Sequence, residues 1–278
     1  AKVQEAVEAA KKSDVAIIFA GSNRDYETEA SDRRDLHLPF GQEELIQKVL
    51  AVNPKTIVVF VAGAPFEIEN ISKKSQAVVW SWFNGSEGGN ALADVLLGKV
   101  NPSGKLPWTM PKAIMDSPAH ATNSFPGGKT VDYAEGILIG YRWFDTKNIA
   151  PLYPFGYGLS YTSFAYKNLK IAKPSIQKGE KIEVSVDVTN TGNFDGKEVV
   201  QLYLNDPVAS IVRPVKELKG FELIELKKGE TKTIQFTLTD KELGFYDNDG
   251  KFLVEPGLFN VMVGWNSNEG LTTKFELK

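Results

Sequence analysis

Hydrophobic and polar positions follow two different rules along this chain, and the change falls near Phe164. In the first part, Val3, Ala6, Val7 and Ala10 recur at helical spacing, and the apolar run Val15-Ala16-Ile17-Ile18-Phe19-Ala20-Gly21 follows as a buried strand. Gly41 to Leu50 predicts an amphipathic helix with Leu45, Ile46, Val49 and Leu50 on its apolar stripe, ending near Asn53-Pro54 because proline cannot continue it. Thr56 to Val61 reads as a second strand, Ala77 to Trp82 as a third, and Ala91 to Leu97 as a further helix. Continuous rather than alternating apolar runs predict parallel strands covered on both faces.

From Phe164 onward apolar residues occupy every second position. Lys181 to Val188, Val199 to Leu204, Thr233 to Leu238, Phe259 to Val263 and Thr273 to Leu277 read as strands, with Asn190-Thr191-Gly192-Asn193 as a turn. Short strands at this spacing without helical runs between them predict a β-sandwich. Between the two regions periodicity lapses and prolines gather at 102, 107, 111, 118, 126, 151 and 154, so this is an extended wrapping segment. Its aromatic content is too high for disorder, and packing against a neighbouring domain explains those rings better than a sugar-stacking platform does. The expected organisation is an incomplete, mostly parallel α/β sandwich domain over residues 1–112, the wrapping segment over 113–163, and an all-β sandwich over 164–278.

Composition narrows the function classes. The 278 residues are 42% hydrophobic with a net charge of −3, and the basic residues form no stripe that could track phosphates, which argues against nucleic acid. Without cysteine there are no disulfides or thiolate metal sites. No apolar run reaches the roughly 18 residues of a membrane span, and no signal-peptide pattern is present. The chain begins at Ala1 rather than methionine, as a mature or cleaved product does.

Candidate chemistry lies in the loop that leaves the first strand, Tyr26-Glu27-Thr28-Glu29-Ala30-Ser31-Asp32-Arg33-Arg34-Asp35-Leu36-His37-Leu38-Pro39. Ligands bind at the carboxyl edge of open α/β sheets. Two carboxylates one residue apart with arginines close behind could supply a general acid, or could be only a solvated loop. The glycines at 85, 88 and 89 match neither the dinucleotide fingerprint nor the P-loop, so close strand-to-helix packing is their expected use. His37 and His120 are expected to be packed, hydrogen-bonded side chains, and no metal-ligand spacing or cofactor motif is found.

Taken in order, six stretches resemble the carboxyl-terminal part of family 3 glycoside hydrolases, most closely the periplasmic β-glucosidases of bacteria. They are Glu29-Ala30-Ser31-Asp32-Arg33 with Leu36-His37-Leu38-Pro39, Trp82 to Ala91, Asn101-Pro102-Ser103-Gly104-Lys105-Leu106-Pro107, Leu152 to Tyr161, Val188-Thr189-Asn190-Thr191-Gly192, and Arg213 to Phe221. The last two resemble the fibronectin type III-like module that closes these enzymes. The resemblance implies an exo-acting retaining hydrolase of β-glucosides or oligosaccharides, secreted or periplasmic, needing no cofactor or metal. It places the acid/base at Glu29, with Glu27 the fallback, while Glu27 is otherwise a like charge or a solvated neighbour of Glu29.

The same resemblance implies an amino-terminal barrel carrying an aspartate nucleophile in a Ser-Asp-Trp type motif, and no Asp-Trp pair occurs here. The chain alone is therefore expected to be inactive and to depend on a missing barrel domain or fragment. Relatives also carry βαβ units before the opening helix, so an unpaired sheet edge is expected. β-Xylosidase and α-arabinofuranosidase activities share the architecture, a homodimer is compatible with it, and a non-catalytic carbohydrate-binding or scaffold module is the alternative from another class.

Overall fold

The computed structural model describes residues 2–31 and 33–278; Ala1 and Asp32 lie outside the described residues. The chain forms two compact units. The first runs to Leu97 and takes in Pro111–Ser117. Its elements are α1 (Lys2–Lys11), β1 (Ala16–Gly21), α2 (Gln42–Leu50), β2 (Thr56–Val61), α3 (Glu69–Lys74), β3 (Ala77–Trp80) and α4 (Gly88–Leu96). The three strands form a parallel sheet in the order β1-β2-β3, with Ala16 beside Thr56 and Ile57 beside Ala77.

Helices α1 and α2 cover one face of this sheet, because Val7, Ala10 and Val49 pack with Ala16, Ile18 and Leu45. The other face is not covered where β1 lies. Ile17 is 46% and Phe19 61% exposed. The expectation of strands buried on both faces is thus corrected for β1: its residues are apolar throughout, but the described residues supply a cover for only one side. At the end of β1, Gly21 has φ +141°, and a Cβ there would stand 2.0 Å from the Val61 carbonyl oxygen, so no side chain fits between the strands at this point. The Gln42 amide closes the same spot, accepting from the Gly21 N–H at 2.7 Å and donating to the Gly21 carbonyl at 2.9 Å. β3 stops two residues earlier than its apolar run, because Trp82 takes a left-handed conformation with φ +57°.

The second unit comprises Gly98–Met110 and Pro118–Lys278. Two short helices, α5 (Pro118–Ala121) and α6 (Tyr141–Thr146), interrupt the stretch expected to be extended throughout. Its aromatics pack within the unit: Tyr141 lies 4.8 Å from Phe155 and 5.9 Å from Tyr203, and Tyr153 stacks on Tyr157 at 4.9 Å between ring centres. The strands are β4 (Phe164–Ile171), β5 (Ser175–Ile176), β6 (Ile182–Asn190), β7 (Gly196–Asn205), β8 (Glu217–Leu226), β9 (Thr231–Leu238), β10 (Phe245–Tyr246), β11 (Phe252–Leu253), β12 (Gly257–Gly264) and β13 (Gly270–Leu277), with α7 (Asp240–Leu243) between β9 and β10. Sheets ordered β5-β13-β12-β7-β8 and β4-β6-β9 face each other across Val184, Val186, Val188, Leu202, Phe259, Val261 and Phe275.

Two buried polar knots fix this unit. Lys105 Nζ meets Glu198 Oε2 at 3.0 Å and donates to the Gly158 carbonyl at 2.8 Å, while the Tyr166 hydroxyl donates to Glu198 Oε1 at 3.1 Å. Burial pushes the Glu198 carboxyl up, against the pull of Lys105, and burial followed by the Glu198 charge pushes the Tyr166 hydroxyl up. Asn190, fully buried, donates to the carbonyls of Phe194 and Leu226 and accepts from Thr162 Oγ1 and the Gly192 N–H. The turn cluster read from the sequence is therefore also a tether between strand ends.

Candidate active site

All the sequence-predicted site residues sit on the loop between β1 and α2, at the carboxyl edge of the parallel sheet. The chain leaves β1 through Ser22, whose N–H donates to the Val61 carbonyl at 3.2 Å. It then turns so that the Glu27 N–H reaches the Asn23 carbonyl at 2.9 Å. The Ser22 hydroxyl donates to the Glu27 carboxylate, which is half-buried. Glu27 is therefore occupied in holding the base of its own loop.

Glu29 differs in every respect. It stands at the tip of a reverse turn in which Thr28 and Ser31 form an isolated bridge and the Ser31 N–H donates to the Thr28 carbonyl at 3.3 Å. Its neighbour Ala30 has φ +64°, a conformation that costs a non-glycine residue energy and that such turns require at their third position. The Glu29 side chain is exposed and has no hydrogen-bond or ion-pair partner among the described residues. A carboxyl held out on a constrained turn can exchange a proton with a group that is brought to it, whereas one already bonded within its own loop is less free to do so.

Beyond the turn, Arg33 points inward and Arg34 outward. Arg33 Nη2 donates to the Pro65 carbonyl at 2.6 Å, and its guanidinium lies 4.3 Å from the centre of the Phe66 ring and 6.0 Å from that of Tyr26. The Glu67 N–H then donates to the Leu36 carbonyl at 2.8 Å, so the loop after β1 is stitched to the loop after β2. His37 is 64% exposed at the side chain, with Nδ1 3.8 Å from Glu67 Oε2, which corrects the expectation that it packs inside. His120 rests 5.2 Å from the Phe125 ring. The sequence had marked the arginine pair but not which member turns in, and it had given no sign of the Ser22 to Glu27 bond.

Aromatic side chains collect at this edge. Phe40, with φ +60°, contacts Tyr26 edge-on at 6.0 Å, and Phe19, Gly21, Ser22, Asn23, Phe40 and Gln42 line an open concavity of about 220 Å³. Ala30, Phe40 and Trp82 are all non-glycine residues in the left-handed region. Such strain persists only where surrounding structure holds it, and it gathers at functional sites. Gly88, at the start of α4, lies so close to Asn84 of the same turn that a Cβ would approach the Asn84 Cβ to 2.6 Å, whereas a Cβ at Gly85 or Gly89 would meet nothing within 4 Å. The strand-to-helix packing expected of these glycines is therefore corrected: the one close contact is within the turn.

The profile described as "Glycosyl hydrolase family 3 C-terminal domain" matches residues 1–161. The chain belongs to glycosyl hydrolase family 3. A fibronectin type III-like domain profile matches residues 198–267 of this family 3 chain. It is 43% identical to beta-glucosidase BoGH3A of Bacteroides ovatus over 95% of this chain and 36% of that protein. It is 40% identical to a periplasmic beta-glucosidase of Salmonella typhimurium over 100% of this chain and 36% of that protein. The crystal structure of a GH3 beta-glucosidase from Bifidobacterium adolescentis superposes with a TM-score of 0.92 at 38% identity, covering 99% of this chain and 40% of that one. The family 3 chain thus spans about a third of the length of the curated relatives it matches. Its architecture is that of the family: an α/β unit with a parallel sheet, followed by a fibronectin type III-like sandwich. No helix among the described residues is long and apolar enough to cross a membrane.

Proposed function

We propose that this chain is the carboxyl-terminal portion of a retaining, exo-acting β-glucosidase and that Glu29 is its general acid/base. The observation that carries the reading is the exposed Glu29 carboxyl, without a partner among the described residues, on a strained turn at the carboxyl edge of the sheet, in a family 3 chain. In the forward step the Glu29 carboxylic acid gives its proton to the glycosidic oxygen as that bond to the anomeric carbon breaks. A second carboxylate, held about 5–5.5 Å from the Glu29 carboxyl by a barrel domain outside this chain, attacks the same carbon and forms a glycosyl ester. Glu29, now a carboxylate, takes a proton from water, and the water oxygen displaces the ester to release the sugar with its original configuration. Terminal non-reducing β-D-glucosyl residues are the proposed substrate because the relatives are named as beta-glucosidases.

The division of labour has a second support. The apolar face of β1 at Ile17 and Phe19 needs a cover, and we assign that cover to polypeptide of the missing barrel and the strands that join it to this sheet. The named periplasmic relative supports a periplasmic or secreted location. Glu27 stays the fallback acid, disfavoured by its bond to Ser22.

The test compares kcat/KM for alkyl and dinitrophenyl β-glucosides in the complete polypeptide with and without Glu29→Gln. A leaving group that needs protonation should lose about 100-fold or more, and one that leaves unaided should lose little. Equal effects on both substrates would remove Glu29 from the role and reopen the reading of a non-catalytic carbohydrate-binding module.

A further inference from the structure

We propose that Arg33 is the positioning residue that fixes the Glu29 turn relative to the sheet, an inference that rests on the acid/base reading of Glu29. The turn has few anchors of its own. The hydrogen bond that closes it runs between Ser31 and Thr28, within the turn itself. On the incoming arm the anchor is the base of the loop, through Ser22 and Glu27.

On the outgoing arm Arg33 reaches a different part of the fold. Its Nη2 donates to the Pro65 carbonyl, and its Cζ lies over the Phe66 ring, 4.3 Å from the centre. Phe66 is fully buried and lies 6.4 Å from the ring of Trp80 on β3, so Arg33 packs against a ring of the buried interior. Tyr26, on the incoming arm, lies 6.0 Å from the same guanidinium. One side chain therefore ties both arms of the turn to the loop after β2.

Position matters here because proton transfer needs the carboxyl within about 2.6–3.2 Å of the glycosidic oxygen. A misplacement of about 1 Å can cost a hundredfold in rate. Lysine would keep the charge but cannot both set a broad delocalised cation over Phe66 and donate an N–H to the Pro65 carbonyl from the same rigid group. Arg34, next in the chain and exposed, supplies a control of the same charge.

The experiment measures kcat/KM for methyl β-glucoside and 2,4-dinitrophenyl β-glucoside in the complete polypeptide, for the unmodified protein and for R33M, R33K, R34M and E29Q. Arg33→Met should lose about 10- to 100-fold on the methyl glucoside and less than about threefold on the dinitrophenyl glucoside. Arg33→Lys should fall between, and Arg34→Met should match the unmodified protein on both. Equal losses on the two substrates for both Arg33 variants would show a general structural role and overturn the proposal, as would no loss on either. Should Glu29→Gln split the substrates while the Arg33 variants do not, only the positioning role falls. Should Glu29→Gln itself fail to split them, the acid/base reading falls first, and the proposal with it.

Discussion

Replacing Lys105 by methionine tests how the second unit is held together. The change removes the ammonium that stands 3.0 Å from Glu198 and leaves a carboxylate that is 3% exposed with the Tyr166 hydroxyl as its remaining side-chain partner. Breaking a buried ion pair from one side costs about 3–5 kcal/mol, because the surviving charge has lost its compensation. At about 2–4 °C per kcal/mol for a domain of 150–250 residues, that is a fall of roughly 6–20 °C in the melting of this unit.

The loss depends on pH, and its sign follows from Glu198. Burial already raises the folded carboxyl above its ordinary 4.5, with Lys105 as the leading opposing influence. Without Lys105 the folded value rises further. A group raised on folding gives its stability below the unfolded value and loses it as pH rises through the folded one, so the Lys105→Met deficit widens from pH 5 to pH 8. The assay is thermal unfolding of the whole chain, followed by near-ultraviolet circular dichroism at both pH values. Lys105→Met/Glu198→Gln should recover most of the loss, since no charge then remains buried. A deficit equal at both pH values, and simply additive in the double variant, would refute the reasoning.

Two further changes probe the two units separately. Asn190→Ala leaves the carbonyls of Phe194 and Leu226 and the Thr162 hydroxyl without this partner, and should cost roughly 3–9 kcal/mol in chemical unfolding at about 1–3 kcal/mol per stranded buried group. Phe19→Lys replaces a 61% exposed ring on the bare face of β1, and sedimentation of the isolated chain should show less self-association than with phenylalanine. If association is unchanged, that face is not what brings copies together.

The sequence displayed some of this plainly and hid the rest for identifiable reasons. β2 is β-branched at every position but Phe60, with Pro54 two residues before it, and its bounds are legible from that alone. The short helix α3 carries a single buried apolar residue, Ile71, in Glu-Asn-Ile-Ser-Lys-Lys, so no periodic stripe announces it. β8 was legible only as part of a family motif, because Gly220 and its charged neighbours blur the alternation and the pairing with β7 slips between Leu202 and Tyr203. In β1 the apolar run was read correctly as a strand, but a run cannot say whether the cover for its second face lies in the same chain.

The site was legible to a smaller extent. The paired glutamates and the arginines behind them stood out, yet local pattern gave no reason to separate Glu29 from Glu27, and the family resemblance made that choice. The physical difference between them, an exposed carboxyl on a turn against one bonded to Ser22, exists only once Ser22 is brought beside Glu27 by the fold. Likewise the value of Arg33 depends on Phe66, 33 positions away in sequence and 4.3 Å away from the guanidinium in space.

The central claim, that Glu29 is the acid/base, is tested most directly by adding azide to the Glu29→Ala form of the complete polypeptide with dinitrophenyl β-glucoside as substrate. With the base gone, water opens the glycosyl ester slowly, and azide, which needs no deprotonation, enters from the same face. The account predicts that azide speeds turnover severalfold or more and that the product is the β-configured glucosyl azide. Turnover unmoved by azide, or a glucosyl azide of the α configuration, would contradict it.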